Sequence, residues 1–186
     1  TTEIYTLSLH DALPIFNEYR AYGFYSDDHG KTWSVSPDID IPSSNEAIGT
    51  ELPNGDLMLN IREQNGKTKR RLVALSSDGG ATWKETYFDS ALITPVCQSS
   101  ILLFEQKKQS ILIYSGPNST DKREKMTLKF SLDSGKNWVK EKEIHPGGAA
   151  YSDLVQVNKE QVGLFYEKDF KQLVYKVFTP KAILSE

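Results

Sequence analysis

SDDHGKTW, at residues 26–33, decides the fold of this chain because its pattern returns twice. It reappears as SSDGGATW at 76–83 and as SLDSGKNW at 131–138, so the box S-x-D-x-G-x-(T/N)-W repeats after 50 and 55 residues. The aspartate of such a box can accept backbone N–H bonds within a turn, and the glycine supplies the positive φ that a tight turn requires. We therefore expect each box to end a strand at its serine and to fix a hairpin.

The remaining residues of the box fit this structural role. The tryptophan is expected to fold back as an apolar plug between strands. A calcium loop is the alternative, but it would need more carboxylates than SSDGGATW offers. The boxes are thus predicted to do no chemistry themselves.

Short apolar or alternating runs fill the intervals between the boxes, and turn sequences such as PNGD separate them. Such runs predict strands rather than helices, with only the terminal PKAILSE suited to a short helix. A period of about 50 residues that holds about four strands is typical of β-propeller blades, each of which needs neighbours to bury its faces. The chain is therefore predicted to be all-β. The predicted strands lie at 56–61, 71–76, 100–104, 110–115, 126–131, 152–157, 161–166 and 172–178.

Composition excludes several classes of protein. The chain of 186 residues has 22 Lys and Arg against 25 Asp and Glu, a net charge of −3, which offers no field for nucleic acid or an anionic membrane. The basic cluster KTKRR at 67–71 is interpreted as a solvated hairpin flank. Cys97 is the single cysteine, so an internal disulfide and a cysteine-rich metal site are excluded. No apolar run approaches the roughly 20 residues of a membrane span.

The first 16 residues, TTEIYTLSLHDALPIF, share neither the alternation nor the turn chemistry of the rest. The string TLSLHDALPI resembles the translation of a sequencing adapter joined to a reading frame. We expect residues 1–16 to be a non-native leader and residues 17–186 to be the folded domain. A genuine irregular leader is the alternative.

Four segments lie beside the boxes: SSNEAIGTELPNGDLMLNIRE at 43–63, TPVCQSSIL at 94–102, KREKMTLKFSLDSGKNW at 122–138, and AAYSDLVQV with VGLFYEK at 149–168. Together they resemble the sialidase (neuraminidase) family, in which the boxes are known as Asp boxes. In the second segment Ser99 replaces the glycine of the family pattern, and the A-Y-S-D-L and L-Y-E elements of the fourth are the most specific. The resemblance implies a six-bladed propeller, of which this chain would be the C-terminal half with about three blades.

The resemblance implies a site for the carboxylate of sialic acid. Guanidinium groups bind a planar carboxylate bidentately and stay charged, and the family uses three arginines for this purpose. Arg62 matches the second of them and Arg123 the third. Glu167, in FYEK, matches the carboxylate that steadies the first arginine.

The resemblance also implies the nucleophile. A carboxylate that attacked the anomeric carbon would meet repulsion from the substrate carboxylate, whereas a neutral tyrosine hydroxyl would not. Tyr151, in AAYSDL, matches that tyrosine, and Glu46 matches the base that takes its proton, because a phenol with a pKa of about 10 needs one. Neighbouring Asn45, Ser152 and Asp153 are interpreted as structural.

The implied activity is that of a retaining exo-α-sialidase that removes terminal sialic acid from glycans, glycoproteins or gangliosides, with no cofactor and no metal. A Ser-His-Asp site is excluded because the three histidines do not supply one, and GPNSTDKRE lacks the spacing of a phosphate loop. Bacterial relatives are secreted, which implies an extracellular or periplasmic location.

Two family elements are not found in the chain: the R-I-P motif of the first arginine and the acid/base aspartate that follows it. We therefore expect the chain alone to be inactive, since a positioned acid is worth about 10²- to 10⁴-fold in rate. Two alternatives remain open: a non-catalytic Asp-box propeller for binding or assembly, and a sialic-acid-binding lectin-like module. A trans-sialidase would share all the matched motifs.

Overall fold

The computed structural model describes residues 3–5, 18–106 and 109–186. These residues form two compact units, which lie within residues 1–90 and 91–186. The prediction of a leader at residues 1–16 falls mostly outside the described residues and stays a prediction. Within the described ranges, no helix is long and apolar enough to cross a membrane.

The first unit contains two antiparallel sheets whose strands are neighbours in chain order. Most of the run DLMLNI lies in the fully buried strand β5 (Leu57–Glu63), which packs Leu59 and Ile61 into the core of this unit. The first sheet contains β1 (Glu3–Tyr5), β2 (Phe24–Ser26) and β3 (Ser34–Val35). The second contains β4 (Ser44–Glu51), β5 (Leu57–Glu63), β6 (Arg70–Ser76) and β7 (Glu85–Ile93).

The second unit is one six-stranded antiparallel sheet, again in chain order. β11 (Trp138–Gln156) is 19 residues long, because its first half pairs with β10 (Glu124–Ser131) and its second half with β12 (Val162–Lys168). The sequence predicted only this second half. The predicted terminal helix is present as α1 (Pro180–Ser185), and its Ile183 packs into the core of this unit. The elements are β8 (Ser100–Gln106), β9 (Gln109–Pro117), β10 (Glu124–Ser131), β11 (Trp138–Gln156), β12 (Val162–Lys168), β13 (Gln172–Phe178) and α1 (Pro180–Ser185).

These meanders have the size that the repeat predicts for propeller blades. β4–β7 and β8–β11 are four-stranded, and the second half of β11 with β12 and β13 adds three strands of a further blade. The all-β prediction is confirmed, since α1 is the one helix among the described residues.

The three boxes fold alike, as their shared residues require. In the second box, Ser76 Oγ donates to Asp78 Oδ1 at 2.7 Å, and the N–H groups of Gly80 and Thr82 donate to Ser76 Oγ and Asp78 Oδ1 at 2.9 and 2.8 Å. The first and third boxes repeat these bonds. β2, β6 and β10 each end at the box serine, which confirms the predicted hairpins. The glycines at 30, 80 and 135 have φ of 78°, 94° and 88°.

The tryptophans and the basic cluster depart in part from expectation. Trp83 packs against the core of the first unit, and its indole N–H donates to Pro37 O at 3.0 Å, as a plug should. Trp33 instead remains 46% exposed, so the plug prediction is wrong there. Arg71 is fully buried and not solvated, because its guanidinium donates to the side chain and the backbone carbonyl of Asn60.

Acid should weaken the boxes. Hydrogen bonds from the Thr32 N–H and hydroxyl lower the pKa of Asp28 from 3.8 to about 2, and bonds from the Thr82 hydroxyl and N–H do the same for Asp78. A lowered pKa in the folded state gives stability that is complete above pH 3.8 and is lost as the pH falls towards 2. In Asp28→Asn we expect the urea midpoint to fall less between pH 5 and pH 2 than in the unsubstituted chain. In the adjacent, exposed Asp27→Asn we expect the same fall as in the unsubstituted chain. Equal profiles for both variants would contradict this assignment.

Candidate active site

Glu46 and Arg62 face each other across an irregularity in the β4–β5 ladder. Ser44 aligns with Glu63 and Ala47 with Ile61, so Asn45 and Glu46 together lie opposite Arg62. Where two residues of one strand lie opposite one residue of its neighbour, the strand forms a β-bulge. A β-bulge changes the direction of side chains and is common beside active sites. Here it brings the Glu46 carboxylate to the Arg62 guanidinium, with Oε2 and Nη1 2.5 Å apart.

This ion pair is nearly removed from solvent. The side chains of Glu46 and Arg62 are 5% and 11% exposed, respectively. At such burial each charge offsets part of the desolvation cost of the other. Arg71 on β6 adds a second buried guanidinium, which donates from Nε to Asn60 Oδ1 at 2.6 Å. The sequence interpretation had placed Arg71 in a solvated hairpin flank, and its burial is seen only in the structure.

Tyr151 and Glu167 occupy a second bulge of the same form. Ala149 aligns with Lys168 and Ser152 with Tyr166, so Ala150 and Tyr151 together lie opposite Glu167. The Tyr151 N–H donates to Glu167 Oε2 at 3.2 Å. The carboxylate therefore holds the backbone from which the Tyr151 side chain projects.

Arg123 lies beside Tyr151. Its Cζ is 5.6 Å from the centre of the Tyr151 ring, within the range of a cation–π contact. Nε and Nη2 both donate to Val96 O, at 3.2 and 2.9 Å, which orients the guanidinium. The Arg123 carbonyl in turn accepts the Ala149 N–H at 2.9 Å, and so ties the start of β10 to the bulge.

The neighbours of these residues have structural contacts. Ser152 is buried and its Oγ lies 2.9 Å from Ser115 Oγ, while Asp153 Oδ1 accepts the Ser100 hydroxyl at 3.0 Å. Ser99, which departs from the family pattern, is buried and accepts the Tyr114 hydroxyl at 2.9 Å. The serine is thus accommodated by a hydrogen bond.

The structure assembles the predicted residues as two groups. Glu46 and Arg62 form one group in the first unit. Tyr151, Arg123 and Glu167 form the other in the second unit. Across the described ranges, no group of three or more His, Cys, Asp or Glu side chains could hold a metal ion.

Known proteins match both the sequence and the fold. The family model described as a BNR repeat-like domain matches residues 5–165. A sialidase of Bacteroides fragilis is 33% identical over 168 residues, and one of Micromonospora viridifaciens is 30% identical over 155 residues. These matches cover 86% and 80% of this chain. The solved structure of a Hadza microbial sialidase superposes with a TM-score of 0.76 at 31% identity, over 88% of this chain.

The matches also confirm the predicted propeller fold, with about three blades in this chain. The chain spans 30% and 24% of the length of these two curated relatives and 33% of the solved one.

Proposed function

Because the chain belongs to the sialidase family with BNR repeats, we propose that it supplies the nucleophile, its base and two substrate-binding arginines of an enzyme that releases terminal sialic acid. The observation that carries this proposal is the Tyr151 bulge. There a tyrosine is held through its backbone by Glu167 and lies against the Arg123 guanidinium. A phenol beside a fixed cation suits attack on a carbon that bears a carboxylate.

In this proposal Tyr151 Oη attacks the anomeric carbon while the bond to the leaving oxygen breaks, and the leaving oxygen takes a proton from the family's acid/base aspartate, which no residue of this chain matches. Glu46 accepts the phenolic proton, and a sialosyl-tyrosine adduct forms through an oxocarbenium-like transition state. Water then attacks the same carbon and gives a proton to that aspartate, the tyrosine oxygen leaves and takes back the proton that Glu46 holds, and sialic acid is released. Two inversions at one carbon retain the configuration of the substrate.

The arginines bind the substrate carboxylate. Arg123 is oriented by its two bonds to Val96 O, and Arg62 by its bond to Glu46. A guanidinium held in place before the substrate arrives loses little conformational freedom on binding, which favours bidentate recognition. For Glu167 we propose a double role, as the acceptor of the Tyr151 N–H and as the partner of a further arginine.

The partners in this proposal are sialic-acid-containing glycans, glycoproteins or gangliosides, and the location is extracellular or periplasmic. The test is a chimera in which the matched region of this chain replaces its counterpart in the Bacteroides fragilis sialidase. We expect the chimera to hydrolyse an aryl sialoside and to release sialic acid with the configuration of the substrate, as followed by NMR. Binding of the sialoside without turnover would favour a lectin-like module, and inversion would overturn the tyrosine mechanism.

The isolated chain is expected to be inactive. An aryl sialoside has a good leaving group and is the substrate least dependent on a general acid, so it gives the most sensitive assay. We expect no release of the aryl group above buffer from the purified chain, because no residue of the chain matches the first carboxylate-binding arginine or the acid/base aspartate of the family. Turnover that disappears in Tyr151→Phe would contradict this expectation.

A further inference from the structure

The segment between β7 and β8 contacts two residues next to Tyr151, namely Arg123 and Ser152. Its Val96 carbonyl accepts two bonds from the Arg123 guanidinium. Two residues later, Gln98 reaches Ser152, the residue after Tyr151, across 54 positions of sequence. TPVCQSSIL was matched to the family as a pattern, and no role followed from that match for Gln98.

The Gln98 carboxamide pairs with both backbone groups of Ser152. Its Oε1 accepts the Ser152 N–H at 3.0 Å, and its Nε2 donates to Ser152 O at 3.0 Å. The same Nε2 lies 3.1 Å from Ser99 O. The side chain therefore provides the donor and acceptor that a neighbouring strand would provide to an edge residue.

Side chains continue this edge pairing along β11. The Leu154 N–H, two residues on, donates to Ser100 Oγ at 3.2 Å. Ser152 Oγ additionally donates to Ser115 O at 3.1 Å. Gln98 thus holds the backbone of Ser152 and Ser115 holds its side chain, while the N–H of Tyr151 itself is held by Glu167.

From these contacts we infer that Gln98 is a positioning residue for Tyr151, an inference that rests on the proposed nucleophilic role of Tyr151. A bulge adds a residue to the strand and locally disrupts the ladder, so the direction of the bulged side chain depends on other contacts. Gln98 and Glu167 hold the backbone on the two sides of Tyr151. A neutral amide does so with a donor and an acceptor and adds no charge to the backbone next to Tyr151.

The first measurement is amide hydrogen exchange on the ligand-free chain. Gln98→Met keeps the length of the side chain and removes both hydrogen-bonding groups. We expect exchange of the Ser152 N–H to rise about 10- to 100-fold, and exchange of Phe130 in the core to stay unchanged. Gln98→Glu keeps an acceptor for this N–H, should retain most of the protection, and serves as the second variant if Gln98→Met does not fold. Unchanged Ser152 exchange in Gln98→Met overturns the inference.

The second measurement is turnover in the chimera. We expect Gln98→Met to lower kcat about 10- to 100-fold with little change in KM, since small misplacements of a reacting group have costs of this size. Gln98→Glu should recover part of the loss. The matched control is Gln106→Met, which removes a comparable bond from a glutamine amide to a backbone carbonyl, that of Lys159.

The outcomes separate the inference from the proposed function. An unchanged kcat in Gln98→Met, or an equal loss in Gln106→Met, overturns the positioning role even if Tyr151 is the nucleophile. If Tyr151→Phe leaves turnover intact, the proposed function fails and the positioning role fails with it, whatever the exchange of Ser152 shows.

Discussion

Tyr151→Phe in the chimera with the Bacteroides fragilis sialidase is expected to lower kcat on the order of 10³-fold or more, because the attacking oxygen is removed. Phenylalanine keeps the ring, and with it the contact to the Arg123 guanidinium. The Glu167 bond involves the backbone N–H and is kept as well. The loss should therefore appear in turnover and not in the thermal midpoint.

Tyr175→Phe is the matched control for this variant. Tyr175 lies exposed on β13 and has no place in the proposed mechanism. Initial rates on an aryl sialoside for the chimera and both variants decide the matter. If Tyr151→Phe keeps a kcat like that of Tyr175→Phe, another residue is the nucleophile.

Arg62→Met is expected to destabilise the chain by about 3–5 kcal/mol, because it leaves the Glu46 carboxylate buried without its guanidinium partner. Glu46→Leu should have a similar effect for the opposite reason. The double variant Arg62→Met/Glu46→Leu replaces both charges by apolar groups and should recover most of the loss, since buried ion pairs contribute little net stability over apolar replacements. Urea unfolding of the unsubstituted chain, the two single variants and the double variant gives the four free energies of this double-mutant cycle.

Asp40→Asn provides an exposed control for this cycle within the same unit. Asp40 Oδ1 lies 2.7 Å from Arg20 Nη1, but its side chain is fully exposed. Water replaces such an interaction readily, so little change in the urea midpoint is expected. If Arg62→Met shifts the midpoint no more than Asp40→Asn does, the Glu46–Arg62 pair is not buried in solution.

Some of the candidate site followed from sequence because the residues stand in family motifs. Arg62 and Glu46, and likewise Tyr151 and Glu167, were named from their segments, and the structure places each pair across one bulge. Neither bulge was predicted. An extra residue in a ladder is defined by the register between two strands, and the pattern within one strand does not reveal that register.

What the sequence alone determined is local. Ser76, Asp78, Gly80 and Thr82 lie within seven residues, and their side chains and backbone complete one another's hydrogen bonds, so the box can be recognised wherever it occurs. The apolar runs likewise identified most strands, because the alternation of side chains depends on the strand itself. The tertiary structure alone decided that Gln98 meets Ser152 and that Arg71 is buried. Both outcomes depend on which distant part of the chain packs against each residue. A buried polar group is stable only where a hydrogen-bond partner satisfies it, and distant segments supply many of those partners.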